Sequence, residues 1–181
     1  MKIVSLPERE LYDEVREEFI NVPAVNLRLE HSLLAISEWE SKYEISFLET
    51  LKNKKITDEQ FRYYIKCMSL DDVDPKTFLF IDNCALEEIV EYMNKGMTAT
   101  TIRDEKKSGR KRIITSEQIY CWMTIYGIPF ECEKWNLNRL TTLIRVCQEE
   151  AKKANGSKKK PNLNDRRERN RARRRRHGTR G

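Results

Sequence analysis

The chain is 181 residues long, 39% hydrophobic and 35% charged, where soluble domains average about 45–50% and about 25%. That size allows one domain with a real core, but the charge excess excludes a dense apolar core filling the whole chain, and no run approaches the roughly 20 apolar residues of a membrane span. The formal charge of +6 hides two opposite halves: residues 151–181 hold 14 Lys or Arg and two acids, leaving residues 1–150 with 21 basic and 27 acidic side chains. A mildly acidic body with a basic extension is expected, not a globally basic nucleic-acid-binding domain.

Lys2–Leu6 alternates apolar and polar residues, Glu18–Val22 carries Phe19 and Ile20, and Val25–Leu29 repeats with period two. These runs predict a small N-terminal β element turning at Pro23, although Tyr12–Arg16 can be read as helical. The opening residues lack the apolar core of a secretory signal, so a soluble protein of the cell interior is expected.

Ser32 stands where a helix N-cap belongs, and Leu33, Ile36, Trp39, Tyr43 and Phe47 follow at steps of three and four along one face. Thr57–Gln60 has capping-box spacing ahead of Phe61, Tyr64, Ile65 and Met68. Asp74-Pro75 opens a short helix, with proline at the first helical position, where its missing N–H costs nothing. Cys84–Lys95 carries Leu86, Ile89, Val90 and Met93 and ends at Gly96, read as a left-handed cap.

Thr98–Ile102 and Arg112–Thr115 are rich in β-branched residues around a polar link containing Gly109, which predicts a central β-hairpin with a basic tip. Thr115–Gln118 has the spacing of a second capping box, opening a helix with Ile119, Trp122, Met123 and Tyr126 that stops at Gly127. Pro129–Trp135 reads as a loop. Asn136 caps a last helix with the stripe Leu137, Leu140, Ile144 and Cys147.

After Ala154 apolar residues almost vanish, Asn155-Gly156-Ser157 reads as a hinge, and a disordered basic C-terminal tail is expected. The predicted class is α+β, mainly helical, with a helical core. Its parts are a globular domain over 1–154 and a Lys/Arg-rich tail over 155–181.

Cys67, Cys84, Cys121, Cys132 and Cys147 form no C-x-x-C pair, and the histidines are His31 and His177, a layout that does not supply a tetrahedral zinc site. Cys67, Cys121 and Cys147 fall among apolar neighbours and read as reduced core residues. Asp71, Asp72 and Asp74 lack the glycine of an EF-hand loop and read as turn and cap residues. Glu38, Glu40 and Glu44 read as a solvated polar face, since paired acid–base carboxylates need a cleft that separates their pKa values. No catalytic residue, metal or cofactor is expected from these patterns.

Trp39, Tyr43, Trp122 and Tyr126 share helical spacing with aliphatic residues and read as core, whereas Trp135 lies in a predicted loop and reads as an exposed partner anchor. Lys106, Lys107, Arg110, Lys111 and Arg112 at the hairpin tip are either a solvated loop or a contact for an acidic partner or phosphates. The tail arginines Arg166, Arg167, Arg169, Arg171, Arg173, Arg174, Arg175 and Arg176 form an arginine-rich run. Such a run can grip phosphates, dock on an acidic protein surface, or serve only as a solubilising tail.

Five stretches resemble a group of tail-module proteins from long-tailed siphophages: Leu29–Lys42 (LEHSLLAISEWESK), Tyr63–Met68, Met97–Thr101, Ile114–Met123 (ITSEQIYCWM) and Gly127–Leu140 (GIPFECEKWNLNRL). The closing Thr179-Arg-Gly181 is similar too. The resemblance runs from about Lys2 to Cys147 and implies a tail assembly chaperone. Such a factor is non-enzymatic, works in the host cell cytoplasm during virion morphogenesis, and holds the tape measure protein soluble while tail tube protein polymerises around it. The alternatives are a nucleic-acid-binding regulatory or packaging protein acting through the tail, or a structural head–tail or tail accessory protein of the virion.

Overall fold

A computed structural model describes residues 1–13, 17–100, 113–156 and 171–173. The chain divides into two compact units, Met1–Arg145 and Val146–Gly181.

The first unit opens with four strands, β1 (Lys2–Leu6), β2 (Arg9–Asp13), β3 (Glu18–Val22) and β4 (Val25–Leu29). β1 pairs antiparallel with β4, placing Val4 opposite Leu27 and Leu6 opposite Val25, and β2 pairs with β3, placing Arg9 opposite Val22 and Tyr12 opposite Phe19. Both ladders keep one register, so β1–β4 form a single ribbon interrupted at Pro7 and Pro23, which have no N–H for a ladder. Val4, Leu6, Leu27 and Leu29 are buried on the inner face, while Ile3, one step out of phase, is exposed.

β2 corrects the expectation of three strands here and the alternative of a helix from Tyr12. Arg-Glu-Leu-Tyr-Asp has little intrinsic strand preference, and its pairing with the Phe-Ile-Asn-Val of β3 decides the matter.

Helix α1 (Leu33–Tyr43) starts as expected, with Ser32 Oγ accepting from Ala35 N at 3.2 Å. It ends early: Glu44 turns left-handed at φ 56°, and Ser46 caps a separate α2 (Phe47–Lys52). Phe47 therefore enters the core from a second helix and not from the end of the α1 stripe. In α3 (Asp58–Met68) the capping box is complete, Thr57 Oγ1 accepting from Gln60 N at 3.2 Å and Gln60 Oε1 accepting from Thr57 N at 3.1 Å. α4 (Pro75–Leu79) begins at Pro75 behind Asp74, as the sequence predicts.

α5 (Asn83–Asn94) is capped by Asp82 and exits through an extended Lys95; the left-handed residue is Met97 at φ 51°, not Gly96. α6 (Ser116–Ile125) is followed by Gly127, whose φ of 63° is the conformation glycine adopts freely. Phe130–Lys134 is a 3-10 helix where a loop is expected. α7 (Leu137–Gly156) runs through the predicted Asn155-Gly156 hinge positions.

The described flanks of the expected central hairpin, Thr98–Thr100 and Ile113–Thr115, carry no strand, and the rest of it lies outside the described residues. The α+β, mainly helical class stands.

The core centres on Trp39, Phe47, Tyr64, Leu33, Ile36, Ile65, Ile89, Ile119 and Met123, all without solvent exposure. Trp39 Nε1 donates to Gln60 O at 2.9 Å, so the indole satisfies its one donor while its rings are buried. Phe47 meets Trp39 edge-on at 5.1 Å and stacks on Tyr64 at 3.9 Å. Each such side chain contributes about 1.5–3 kcal/mol on burial. Trp122, Tyr126 and Tyr43, expected in the core, are only half-buried.

Candidate interaction surface

Trp135 sits at the entrance to α7, where the chain is fixed at several points. Leu137 N donates to His31 O at 2.7 Å, Asn136 bridges Ser32, and Asn136 Oδ1 accepts from Asn138 N at 3.0 Å, which makes Asn136 the cap the sequence predicts. Trp135 is thus held beside the start of α1. It is 36% exposed, with the Arg139 guanidinium 4.3 Å from its ring centroid. Trp135 is extended and Arg139 lies in the first turn of α7, four residues further on, a spacing legible in the sequence.

Two further apolar side chains are exposed on α1 and on the 3-10 helix that precedes Trp135. Leu34 on α1 is 46% exposed and Phe130 on the 3-10 helix, which packs against α1, is 55% exposed. Leu34 is off the buried stripe by one position, and Phe130 follows Pro129, so neither belongs to a recognisable pattern. Tyr120 lies 6.0 Å from Phe130 ring to ring and donates to Glu133 Oε2 at 2.8 Å. Burial and then the Glu133 carboxylate push the Tyr120 phenol well up, so it stays a neutral donor.

Polar groups hold the segments on either side of Ser32 and Asn136. Tyr92 Oη donates to Glu30 Oε1 at 2.5 Å, and Asn136 Nδ2 reaches both atoms at 3.4 Å. Burial and the Glu30 hydrogen bond push the Tyr92 phenol up to about 12. His31 is buried, its Nδ1 2.5 Å from the Tyr64 hydroxyl, and burial brings its pKa down to about 4. The imidazole is therefore neutral near pH 7.

The acids read as one solvated face have separate fates. Glu40 is buried and corrects that reading: its Oε1 accepts from Phe47 N at 2.9 Å and its Oε2 from Ser116 N at 2.7 Å. One carboxylate thereby caps two helices, α2 and α6, at their positive ends. Thr115, predicted to cap α6 with its side chain, makes no cap hydrogen bond. Glu38 is exposed and neighbours Cys67, whose thiol is pushed up to about 12 by burial first and then by that carboxylate. Glu44 forms the turn after α1.

Asp71 pairs with Arg28 and Asp74 caps α4, as turn and cap residues should. All five cysteines are free; Cys121 is exposed, contrary to the core reading, while Cys67 and Cys147 are half-buried. A cleft of about 520 Å³ lies between α2 and the segment leading into α6, lined by Ile45, Thr50, Gln60 and Ile113. Among the described residues, no cluster of His, Cys, Asp or Glu is arranged to hold a metal ion, and no helix is long and apolar enough to cross a membrane.

Of the residues singled out for electrostatic contact, Arg171 and Arg173 are exposed. Lys106, Lys107, Arg110, Lys111 and Arg112 lie outside the described residues, as do Arg166, Arg167, Arg169, Arg174, Arg175 and Arg176. No protein-family model, curated protein or solved structure matches the chain.

Proposed function

We propose that this chain is a siphophage tail assembly chaperone that binds the tape measure protein in the host cell cytoplasm, without catalysis, and releases it as the tail tube assembles. The reading rests on the resemblance of Leu29–Lys42, Ile114–Met123 and Gly127–Leu140, and one structural observation supports it most directly. Those same stretches carry the exposed Leu34, Phe130 and Trp135.

An extended helical client exposes apolar stripes until the tube covers them. An exposed aromatic anchor, with exposed apolar side chains on the neighbouring elements, can shield such a stripe by helix docking. A contact made through so few exposed apolar side chains is reversible, as transfer to the tube protein requires. Arg139, stacked on Trp135, keeps the anchor oriented and adds a charge at its rim.

The test is co-expression of the full chain with the tape measure protein of the same phage. The wild-type chain is expected to keep the client soluble and to co-purify with it. Trp135→Ala should weaken that association about tenfold or more, as loss of an aromatic anchor does. Unchanged co-purification would refute the assignment of this surface.

A second reading, nucleic-acid contact through the tail, is favoured by the exposed Arg171 and Arg173 within the arginine-rich run. Mass spectrometry of purified virions separates off a third. A chaperone is absent from mature particles, whereas a structural head–tail or tail accessory protein is present in them.

A further inference from the structure

The distal half of the N-terminal ribbon is a surface that the tape-measure reading leaves unused. β2 and β3 pair only with each other, and no other described residue pairs with the outer edge of either. Tyr12 and Phe19 stand opposite one another across this pair, with ring centroids 5.1 Å apart. They are 53% and 69% exposed, and Phe19 shows the highest exposure of any large hydrophobic residue described.

An aromatic pair on one face of a two-stranded arm buries little within the arm itself. Its neighbours set the chemistry of what would cover it. Glu10 shares the face by strand alternation, and Glu8 reaches it too, since Asn21 Nδ2 donates to Glu8 Oε1 at 3.0 Å. Glu8, Glu10, Glu17 and Glu18 are all exposed. Arg9, the arm's basic residue among those described, is committed to Asp82, the N-cap of α5, and this pair anchors the arm's base.

We propose that the β2–β3 arm docks an extended, arginine-bearing peptide segment of a partner protein. Charge complementarity selects a cationic segment. The aromatic pair selects arginine over lysine, because a planar guanidinium can lie on the rings while its N–H groups reach the carboxylates. The outer edges suit an extended chain, whose backbone can add alongside a strand while alternate side chains fall over the Tyr12–Phe19 face.

The experiment measures binding of the full-length chain to fluorescent oligoarginine and oligolysine peptides of equal length by anisotropy. Oligoarginine is expected to bind several-fold more tightly than oligolysine. Its affinity should fall roughly three- to tenfold in Tyr12→Ala/Phe19→Ala and again in Glu8→Gln/Glu10→Gln, two sets of exposed positions whose loss leaves the core intact. Three outcomes overturn the proposal: neither peptide is retained; the two bind equally and the aromatic variant changes nothing, which is unspecific charge attraction; or the aromatic variant abolishes self-association without any peptide binding, which makes the occupant a second copy. None of these results bears on tape-measure binding, which is read out separately through Trp135.

Discussion

Glu40 shows how much one side chain can decide in this chain. Its buried carboxylate takes a backbone N–H from α2 and another from α6, joining two helix starts that are 69 residues apart in sequence at Phe47 and Ser116. Hydrogen bonds to a charged group are worth about 1.5–3 kcal/mol each, and buried donors left alone cost more than the bond is worth. Glu40→Ala should therefore lower unfolding stability by about 3 kcal/mol or more in urea titrations. Glu40→Gln, which turns a donor toward one of the two N–H groups, should lose a comparable fraction. A loss below about 0.5 kcal/mol in both would show that water replaces the carboxylate.

His31 gives stability a pH dependence of definite sign. Its folded pKa of about 4 lies below the ordinary 6.5, so between those values the unfolded chain holds the extra proton. The contribution is fully present above pH 6.5 and is lost as pH falls toward 4, a total of about 3 kcal/mol at 1.36 kcal/mol per unit. Denaturation midpoints measured downward from pH 7 should drop, most usefully above pH 5, before carboxylates titrate. His31→Gln should flatten that part of the profile.

The break between α1 and α2 and the two threonine-led helix starts make a similar point for whole elements. A continuous stripe from Leu33 to Phe47 suits one helix, yet the chain turns at Glu44 because Ser46 and Glu40 between them cap a new start at Phe47. A non-glycine residue at φ 56° carries strain, so Glu44→Gly should raise stability by about 0.5–1 kcal/mol, read from chemical denaturation. Thr57 and Thr115 occupy the same motif spacing in the sequence, but only Thr57 makes the cap. Thr57→Ala is expected to cost about 1 kcal/mol and Thr115→Ala under about 0.5 kcal/mol. Equal costs would contradict the division of labour between Thr115 and Glu40.

For the molecule entire, opposite charge in residues 1–150 and 151–181 is the organising feature. If the arginine-rich run binds nucleic acid, a chain truncated after Ala154 should lose retention on RNA or DNA columns, and the full-length chain's retention should fall steeply as salt rises. Solubilisation of the tape measure protein should survive the truncation if the surface around Trp135 carries it. Loss of solubilisation together with nucleic-acid retention would move the function to the tail.

Local chemistry written into adjacent residues was enough to place most elements. Ser32, the Thr57–Gln60 pair, Asp74-Pro75 and Asn136 each act on a backbone group within three residues, so their effect does not depend on what lies across the fold. Period-two and period-3.6 patterns placed β1, β3, β4 and α3 by the same logic. The charge division, too, is a property of composition alone.

Other features waited on contacts between residues far apart. β2 exists because β3 lies beside it, Glu40 is buried because two later helices begin at its oxygens, and Trp135 stands beside the start of α1 because the backbone at His31 is tied to that at Leu137. Whether an exposed apolar residue has apolar company, or a carboxylate has donors, depends on packing across the whole unit, and only the folded chain supplies it.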